Sequence, residues 1–453
     1  MRGAERDDEL RRRPGGHASG RGYNQPVARI LADLTPLRVS PAFRRLWLGN
    51  ALSAVGSQLT LIAVSLEVYK LTSSSFHVGL LGLFALVPLV LTGLYGGAVA
   101  DAYDRRKIAL GSAVVLWCTT AAIAAQAWLQ LDSVWLLYAL IAVHSGATGI
   151  NQPTRGAIIP ALLGAKLLPS ANSLNMVTFG IAMMVGPLLG GVLVAQVGYA
   201  WTYTIDVVTY LAAVVSVYLL PSLPPRGEVS RAGFKSVVEG FGFLAGQPNL
   251  RMTFLIDLTA MILAAPRALL PAIGAVLIGG GATTVGILLG ATALGAFLTG
   301  MFSGPLGSIH RQGVAVFWSV AAWGISIAAF GAVVLGAVRA GPAPADGSSS
   351  GWLWAAAACM AAAGISDAIS SVFRTTILQT ATPDHLRGRL QGVFIVVVAG
   401  GPRVGELSSG TLAGGVGEGW TLLAGGLACV LVAALLMRLT PGFLRYDARN
   451  PVP

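Results

Sequence analysis

The sequence predicts an all-α polytopic membrane protein with twelve transmembrane helices in two six-helix bundles. Hydrophobic residues make up 55% of the 453-residue chain and charged residues only 11%, against roughly 25% in soluble proteins. Several uncharged runs, such as Val78 to Ala100 and Trp420 to Met437, reach the ~20 residues that a helix needs to cross a bilayer. A soluble domain has no interior large enough for this much apolar surface.

The uncharged runs, taken in order, predict the individual spans, and the charged and turn residues between them set the ends. The predicted spans are 46–70, 78–100, 108–130, 133–152, 171–195, 202–221, 252–277, 284–306, 314–339, 352–376, 390–413 and 420–440. An even number of spans places both termini on one side of the membrane.

Lysine and arginine predict the orientation, because they accumulate in cytoplasmic loops. Of the 30 Lys and Arg residues, 26 fall on one side, including ten in the tail through Arg45, Arg155 in loop 4–5 and three in loop 10–11. We therefore expect a cell-membrane protein with cytoplasmic termini, a cytoplasmic segment Arg226 to Lys235 and an external segment Ala343 to Ser350. The net charge of +11 then indicates contact with anionic lipids rather than nucleic acid.

The longest interior polar stretch, Pro221 to Gly240, divides the spans six and six. We expect a tail at 1–42, a bundle at 43–222, a linker at 223–250, a bundle at 251–441 and a tail at 442–453. The first 25 residues lack an apolar run, so a disordered tail without a secretory signal is expected. A faint repeat, with an offset of 207 residues, carries Trp47 onto Phe254. Repeated halves around a midplane site are typical of transporters.

The loop between spans 2 and 3, GGAVADAYDRRK, has five charged residues in its last seven positions. Gly97 permits close helix packing at the membrane edge. Asp101 follows span 2, where a carboxylate can face the positive N-terminus of another helix. The loop is held in the cytoplasm by three bases, Arg105, Arg106 and Lys107. The residues alone leave two interpretations open, a gating loop and a simple anchor.

This loop resembles the G-x-x-x-D-R-x-G-R-[RK] signature of the major facilitator superfamily, with Ala102 and Asp104 in place of the usual Arg and Gly. The enterobactin-exporter and macrolide-efflux branch is similar in three longer stretches, VGSQLTLIAVSLEVYKLTSSSFHVGLLG, NQPTRGAIIPALLGAKLLPSANSLN and ILQTATPDHLRGRLQGVF. The resemblance implies the major facilitator fold and a gating role for the loop. It also implies that Asp101 faces the start of span 11 near Arg387 to Leu390.

Span 5 contains MVGPLLGG, which resembles the antiporter motif of exporters in this superfamily. The matching residues are Gly186, Pro187, Gly190 and Gly191. Pro187 removes a backbone donor and bends the helix, and the glycines let a neighbouring helix pack closely. The resemblance implies export by antiport, and a Gly/Pro kink without functional consequence is the alternative.

Charged and polar residues inside the spans are candidates for the substrate or proton pathway, because a charge at the bilayer centre costs about 2.5–3.5 kcal/mol on insertion scales. The candidates are Gln58, His144, Arg267, Asp367, Arg403 and Glu406. Arg403 and Glu406 share a helix face, and we expect Arg403 to hold an anionic substrate and Glu406 to carry a proton. A packing role is the alternative for His144. Glu67 and Asp206 are expected near outer helix ends, in contact with water.

The favoured function is secondary active export of a small amphipathic molecule, a siderophore or drug, by proton-coupled antiport and alternating access. An ATP-driven pump would need G-x-x-x-x-G-K-[ST], and none of the four lysines has that setting. The alternatives are multidrug or sugar efflux by the same fold, a channel, and a membrane-embedded enzyme. The G-x-S-x-G spacing at Gly347 to Gly351 lies in a Gly/Ser/Pro-rich loop and indicates a linker. We expect a monomer without enzymatic activity, cofactor or metal.

Overall fold

A computed structural model describes residues 33–164, 167–224, 241–341, 351–382 and 387–449. Within these ranges the regular structure is helical, without β-strands, and the predicted all-α membrane fold class is confirmed. The tail 1–32 and the segments Arg226 to Lys235 and Ala343 to Ser350 lie outside the described residues. So does most of the G-x-S-x-G stretch.

The first half begins with a short helix, Thr35–Val39, and continues with α1 (Pro41–Thr72), α2 (Ser75–Ala102), α3 (Arg105–Trp128) and α4 (Val134–Leu162). The next helical run, Leu168–Tyr218, is broken at Gly198, whose φ of 80° and ψ of 179° are non-helical. The parts before and after Gly198 are labelled α5 and α6. A glycine suits this point because a positive φ is strained for any residue with a β-carbon.

The second half contains α7 (Pro248–Leu263), α8 (Gly281–Met301), α9 (Gln312–Ala340), α10 (Gly351–Ala381), α11 (Arg387–Val416) and α12 (Glu418–Leu439). After α7 the chain continues through a 3₁₀ turn at Arg267–Leu269 and a π-helical turn at Ile273–Leu277. Pro266 and Pro271 lie in this irregular stretch, and each removes a backbone donor that a regular helix would use.

Ten of the described segments are long and apolar enough to cross a membrane. One of the ten is the run that Gly198 divides into α5 and α6, and α11 is not among them. The described helices are therefore consistent with the twelve predicted spans. Because successive helices alternate in direction, the start of α1 and the end of α12 lie at one end of the bundle, here called the proximal end. The opposite end is the distal end.

Among the described residues, the halves meet mainly along two helix pairs, α2 with α11 and α5 with α8. Between α5 and α8 the backbones lie so close that a β-carbon at Gly191 would be 3.0 Å from the Gly286 Cα. Beside α2 and α11, Ser75 Oγ donates to Glu418 Oε1 over 2.9 Å. These contacts lie near the distal end, so the described parts of the two halves are closed against each other there.

The predicted end of span 4 is wrong, because helix α4 runs on to Leu162 instead of ending at residue 152. Arg155, assigned to loop 4–5, therefore lies inside α4. Arg374, counted with loop 10–11, lies inside α10, which runs to Ala381. Pro153 and Pro160 lie inside α4, and membrane helices tolerate proline where neighbouring helices satisfy the freed backbone groups.

Candidate functional site

A cavity of about 490 Å³ lies between the two halves, within the size range of small-molecule sites. Most of its wall comes from α1, α2, α4, α5 and α6. The second half contributes Arg267 and Ala268, from the stretch after α7, and Arg403 and Glu406, from α11. Five of the six predicted pathway residues border this cavity, namely Gln58, His144, Arg267, Arg403 and Glu406.

The wall formed by the first half combines uncharged polar side chains with apolar ones. On α4, most of its polar members recur at helical spacing, and they are His144, Ser145, Thr148, Asn151, Gln152 and Arg155. His144 Nδ1 lies 3.1 Å from Thr119 Oγ1, so this histidine has a packing partner and also borders the cavity. On α1, Gln58 Nε2 lies 2.9 Å from Met183 Sδ.

Arg155 projects from α4 into this wall and contacts the side-chain oxygen of Asn50 on α1. Two of its guanidinium nitrogens, Nε and Nη2, are buried without a hydrogen-bond partner among the described residues. Buried polar groups are nearly always satisfied by protein or water. Arg155 is thus a cavity-lining guanidinium whose hydrogen-bonding capacity is not used up by the described residues.

Arg267 is a second source of unmet donors. It lies in the 3₁₀ turn after α7, borders the cavity and is exposed. It makes no hydrogen bond or ion pair with the residues that the structure describes. The break in regular helix around Pro266 sets this arginine at the cavity surface rather than in a helix packing face.

Arg403 and Glu406 form the ion pair that their spacing predicts, with Nη1 3.0 Å from Oε2. The glutamate side chain is 7% exposed and the arginine side chain 25%. Gly82 on α2 leaves space for this ion pair. A β-carbon at that position would lie only 2.8 Å from Glu406 Oε2 and 3.3 Å from Arg403 Cδ. The pair therefore lies at the seam between α2 and α11.

Asp206 and Glu67 are not in contact with water, and the prediction for both is wrong. Asp206 is 0% exposed and accepts a 2.6 Å hydrogen bond from Thr60 Oγ1, yet it borders the cavity. Glu67 is 4% exposed and accepts hydrogen bonds from Tyr203 Oη (2.5 Å) and Gln126 Nε2 (2.9 Å). Linear distance from a helix end does not reveal that another helix covers the residue.

Asp367, the sixth predicted pathway residue, lies elsewhere. It borders a second cavity of about 160 Å³ between α7, α10 and α11, together with Asp257 and Arg374. Arg374 forms an ion pair with Asp257 and lies 3.6 Å from Asp367. Asp367 is 57% exposed on its side chain, whereas Asp257 is 5% exposed.

The two arginine clusters occupy matching places in the two halves. Asn50 and Asp257 are 207 residues apart, the offset of the faint repeat in the sequence. Arg155 and Arg374 each lie seven residues before the last residue of their helices, α4 and α10. The first helix and the fourth helix of each half are therefore joined by the same type of contact.

The loop between α2 and α3 is tied to the first half by its bases. Arg105 Nη1 donates to the Ala157 carbonyl (3.3 Å), and Arg106 Nη2 donates to the Tyr218 carbonyl (2.6 Å). Both carbonyls lie near the C-terminal ends of helices, where positive charge is favourable. Lys107 is exposed. The side chains of Gly97, Asp101 and Arg387 to Leu390 are outside the described part, so the implied contact of Asp101 stays a prediction.

Asp104, which replaces the usual glycine of the loop signature, caps α3 by accepting from the Arg106 backbone N–H over 2.9 Å. It also accepts from Ser222 Oγ (2.6 Å) and the Leu223 N–H (3.2 Å). Burial alone would raise the pKa of Asp104, but these hydrogen bonds to the carboxylate outweigh it and hold the pKa below its usual value.

The α5 motif lies where α5 meets both α1 and α8. A β-carbon at Gly186 would be 2.5 Å from Gln58 Cβ, and one at Gly190 would be 3.3 Å from the Leu59 Cα. Gly191 packs against α8. On the α8 side, a β-carbon at Gly286 would lie 2.8 Å from the carbonyl oxygen of Pro187. The glycines thus permit the close helix packing that the motif predicts.

The site residues missed from the sequence were Asn50, Arg155 and Asp206 in the central cavity and the Asp257–Arg374 pair in the second. One signal was present for Arg155, because it continues the polar face of α4 that starts at His144. The 207-residue offset also linked Asn50 with Asp257. No pattern in the sequence pointed to the pairing of Thr60 with Asp206, which are 146 residues apart.

The family model for transmembrane secretion effectors, a major facilitator group, matches residues 31–449. The enterobactin exporter EntS of Citrobacter koseri is 29% identical over 427 residues, covering 93% of this chain and 97% of that protein. Its counterpart from Escherichia coli K12 is 27% identical with the same coverage.

Solved structures show the same fold at low sequence identity. The nucleoside transporter NupG superposes with a TM-score of 0.68 at 14% identity, covering 88% of this chain and 98% of that one. A bacterial ferroportin homologue in an inward-facing state gives 0.64 at 15% identity, covering 90% and 98%. The family match over nearly the whole described chain confirms the resemblance seen in the sequence. The chain therefore belongs to the transmembrane secretion effector family of the major facilitator superfamily.

Proposed function

We propose that this transporter exports an anionic or polyphenolic chelator of the siderophore type by proton-coupled alternating access. One observation carries the assignment, namely the unmet guanidinium donors of Arg155 and Arg267 around one cavity. A guanidinium offers a planar fork of N–H groups that matches pairs of oxygens in carboxylate, hydroxamate or catecholate groups.

The rest of the cavity supports an amphipathic substrate. Its polar surface from α1 and α4 is largely uncharged, and apolar side chains lie between these polar groups, including Leu61, Val64, Leu81 and Ile141. Arg403 lies on the opposite wall, but Glu406 partly neutralises it. The relatives that share 27–29% of their residues with this chain are named enterobactin exporters, which supports a siderophore over a sugar.

The distribution of Lys and Arg supports the orientation of the protein in the membrane. With cytoplasmic termini, the distal end faces outward, and the described structure has its outer side closed at the α2–α11 and α5–α8 seams. Helices at these seams separate in the alternate state. We assign the loop from Gly97 to Lys107 and the α5 motif to this transition, with a proton gradient as the energy source because the sequence has no ATP-binding motif.

The test is secretion under iron limitation. Culture supernatants of a deletion strain, complemented with wild-type protein or with Arg267→Gln, are compared by mass spectrometry. We expect one chelator to be depleted in the deletion strain, restored by wild type and restored poorly by Arg267→Gln at equal membrane levels. Unchanged chelators together with raised sensitivity to a macrolide would move the assignment to drug efflux.

A further inference from the structure

We propose that Asp206 is a proton-binding site whose protonation holds the distal end closed. The inference rests on the proposed function only in linking the proton to transport. Asp206 borders the central cavity but has no accessible surface, because α1 covers it at Gly56 and Thr60. The Asp206 side chain therefore extends from α6 into the contact with α1, at the wall of the substrate site.

The hydrogen bonds of Asp206 come from hydroxyl groups alone. Thr60 Oγ1 donates to Oδ2 over 2.6 Å, and Thr209 Oγ1 lies 3.3 Å from Oδ1 and 3.0 Å from the Asp206 carbonyl oxygen. Within the described ranges no Lys, Arg or His forms an ion pair with Asp206. A buried carboxylate without a cation is costly, and it is relieved by binding a proton.

The threonines can serve both forms of the carboxyl group, because a hydroxyl both donates and accepts. When a proton binds to Oδ2, the acid donates to Thr60 Oγ1, and that hydroxyl turns to the backbone carbonyl four residues earlier in α1. Thr209 keeps its bond to the Asp206 carbonyl. The proton comes from water and returns to water, and no covalent bond to another group changes.

Other titratable groups around Asp206 are placed differently. His144 and Arg155 face the cavity from α4, Tyr210 lies one turn along α6, and Arg267, Arg403 and Glu406 lie on the opposite wall. Described α5 carries no charged residue, and the charged residues of α3 lie at its proximal start. Glu406 is already paired with Arg403.

Glu67 is the strongest rival, since it is a buried acid on α1 that also contacts α6. Its two partners are Tyr203 Oη on α6 and Gln126 Nε2 on α3. Glu67 borders neither of the two cavities described above, so a proton bound there has no direct link to the substrate site.

The position of Asp206 links proton binding to the closure of the distal end. By helical rise it lies about 12 Å from Gly198, at the distal end, and about 18 Å from Tyr218, at the proximal end. Loss of the proton leaves a charge that only water can relieve, and separation of the halves at the distal end gives water the shorter route. A proton thus binds the closed state more tightly and shifts the population toward it.

The test measures distal opening directly, without substrate. Spin labels at Leu131→Cys and Val416→Cys, both exposed distal positions in opposite halves, are introduced after replacement of Cys118, Cys359 and Cys429 in the full-length protein. Distance distributions in liposomes are recorded against pH. We expect the wild-type background to open as pH rises and Asp206→Asn, which mimics the neutral acid, to stay closed throughout.

Matched variants separate this idea from its rivals. Glu67→Gln and His144→Gln should keep the pH response, and Thr60→Val, which removes a hydrogen bond to the carboxylate, should move its midpoint to higher pH. The inference is wrong if wild type shows no pH response, if Asp206→Asn still responds, or if Glu67→Gln or His144→Gln abolishes it. If Asp206→Asn fails to fold, the Thr60→Val midpoint decides. None of these outcomes depends on the chelator assignment, which the secretion test decides.

Discussion

The two halves of the molecule use the same contact for different chemistry. In the first half, Arg155 contacts the neutral amide of Asn50, keeps unmet donors and faces the central cavity. In the second half, Arg374 contacts the carboxylate of Asp257 and lies in a separate, smaller cavity. The exchange of an amide for a carboxylate at one repeated position decides whether the arginine is available to a substrate.

This difference separates a binding role from a structural one. An arginine held by an amide retains its full charge, while an arginine paired with a buried acid is neutralised and joins two helices. We infer that the first half carries the substrate-binding arginine and that the second half stabilises its bundle. The following changes test the comparison, from the largest expected effect to the smallest.

Removal of the arginine in the second half should damage folding most. Arg374→Gln leaves Asp257 buried without a partner, which costs about 3–5 kcal/mol. We expect a severe loss of folded protein in detergent by size-exclusion chromatography, and recovery in the double variant Arg374→Gln with Asp257→Asn. A double variant as poor as the single one would show that the pair is not a structural unit.

Asn50→Asp should make the first half resemble the second. The new carboxylate would pair with Arg155 and compete with an anionic substrate, so we expect affinity for enterobactin, used as the probe, to fall about tenfold, which is about 1.4 kcal/mol. Folded yield should stay near that of wild type. Asn50→Gln, which keeps an amide, is the control, and equal affinities in the Asp and Gln variants would contradict the comparison.

Asp104→Ala should have the smallest effect, because it concerns a cap and not either arginine. Loss of an N-cap costs about 0.5–2 kcal/mol, and the partial exposure of Asp104 places the effect at the low end. Since the folded-state pKa is lowered, the contribution is present above the unfolded value of about 3.9 and disappears as pH falls through the folded value. Thermal unfolding at neutral pH should show the difference, and the gap should narrow in acid.

The sequence predicted the fold and part of the site for physical reasons that can be named. Span length and charge bias follow from the bilayer itself, and the Arg403–Glu406 pair follows from helical spacing within one helix. The role of Arg155 was missed because Pro153 and a nearby positive charge are typical of loops. The burial of Asp206 depends on α1, which lies far away in the chain, and local patterns carry no information about that contact.

The most direct test of the account is binding of enterobactin to purified full-length protein by calorimetry, with one arginine of the repeated pair changed at a time. Arg155→Gln should weaken binding about 10- to 100-fold, since a hydrogen bond to a charged group contributes about 1.5–3 kcal/mol. The double variant Arg374→Gln with Asp257→Asn should bind as wild type does. Normal binding by Arg155→Gln, or loss of binding in the double variant alone, would contradict the division of roles between the halves.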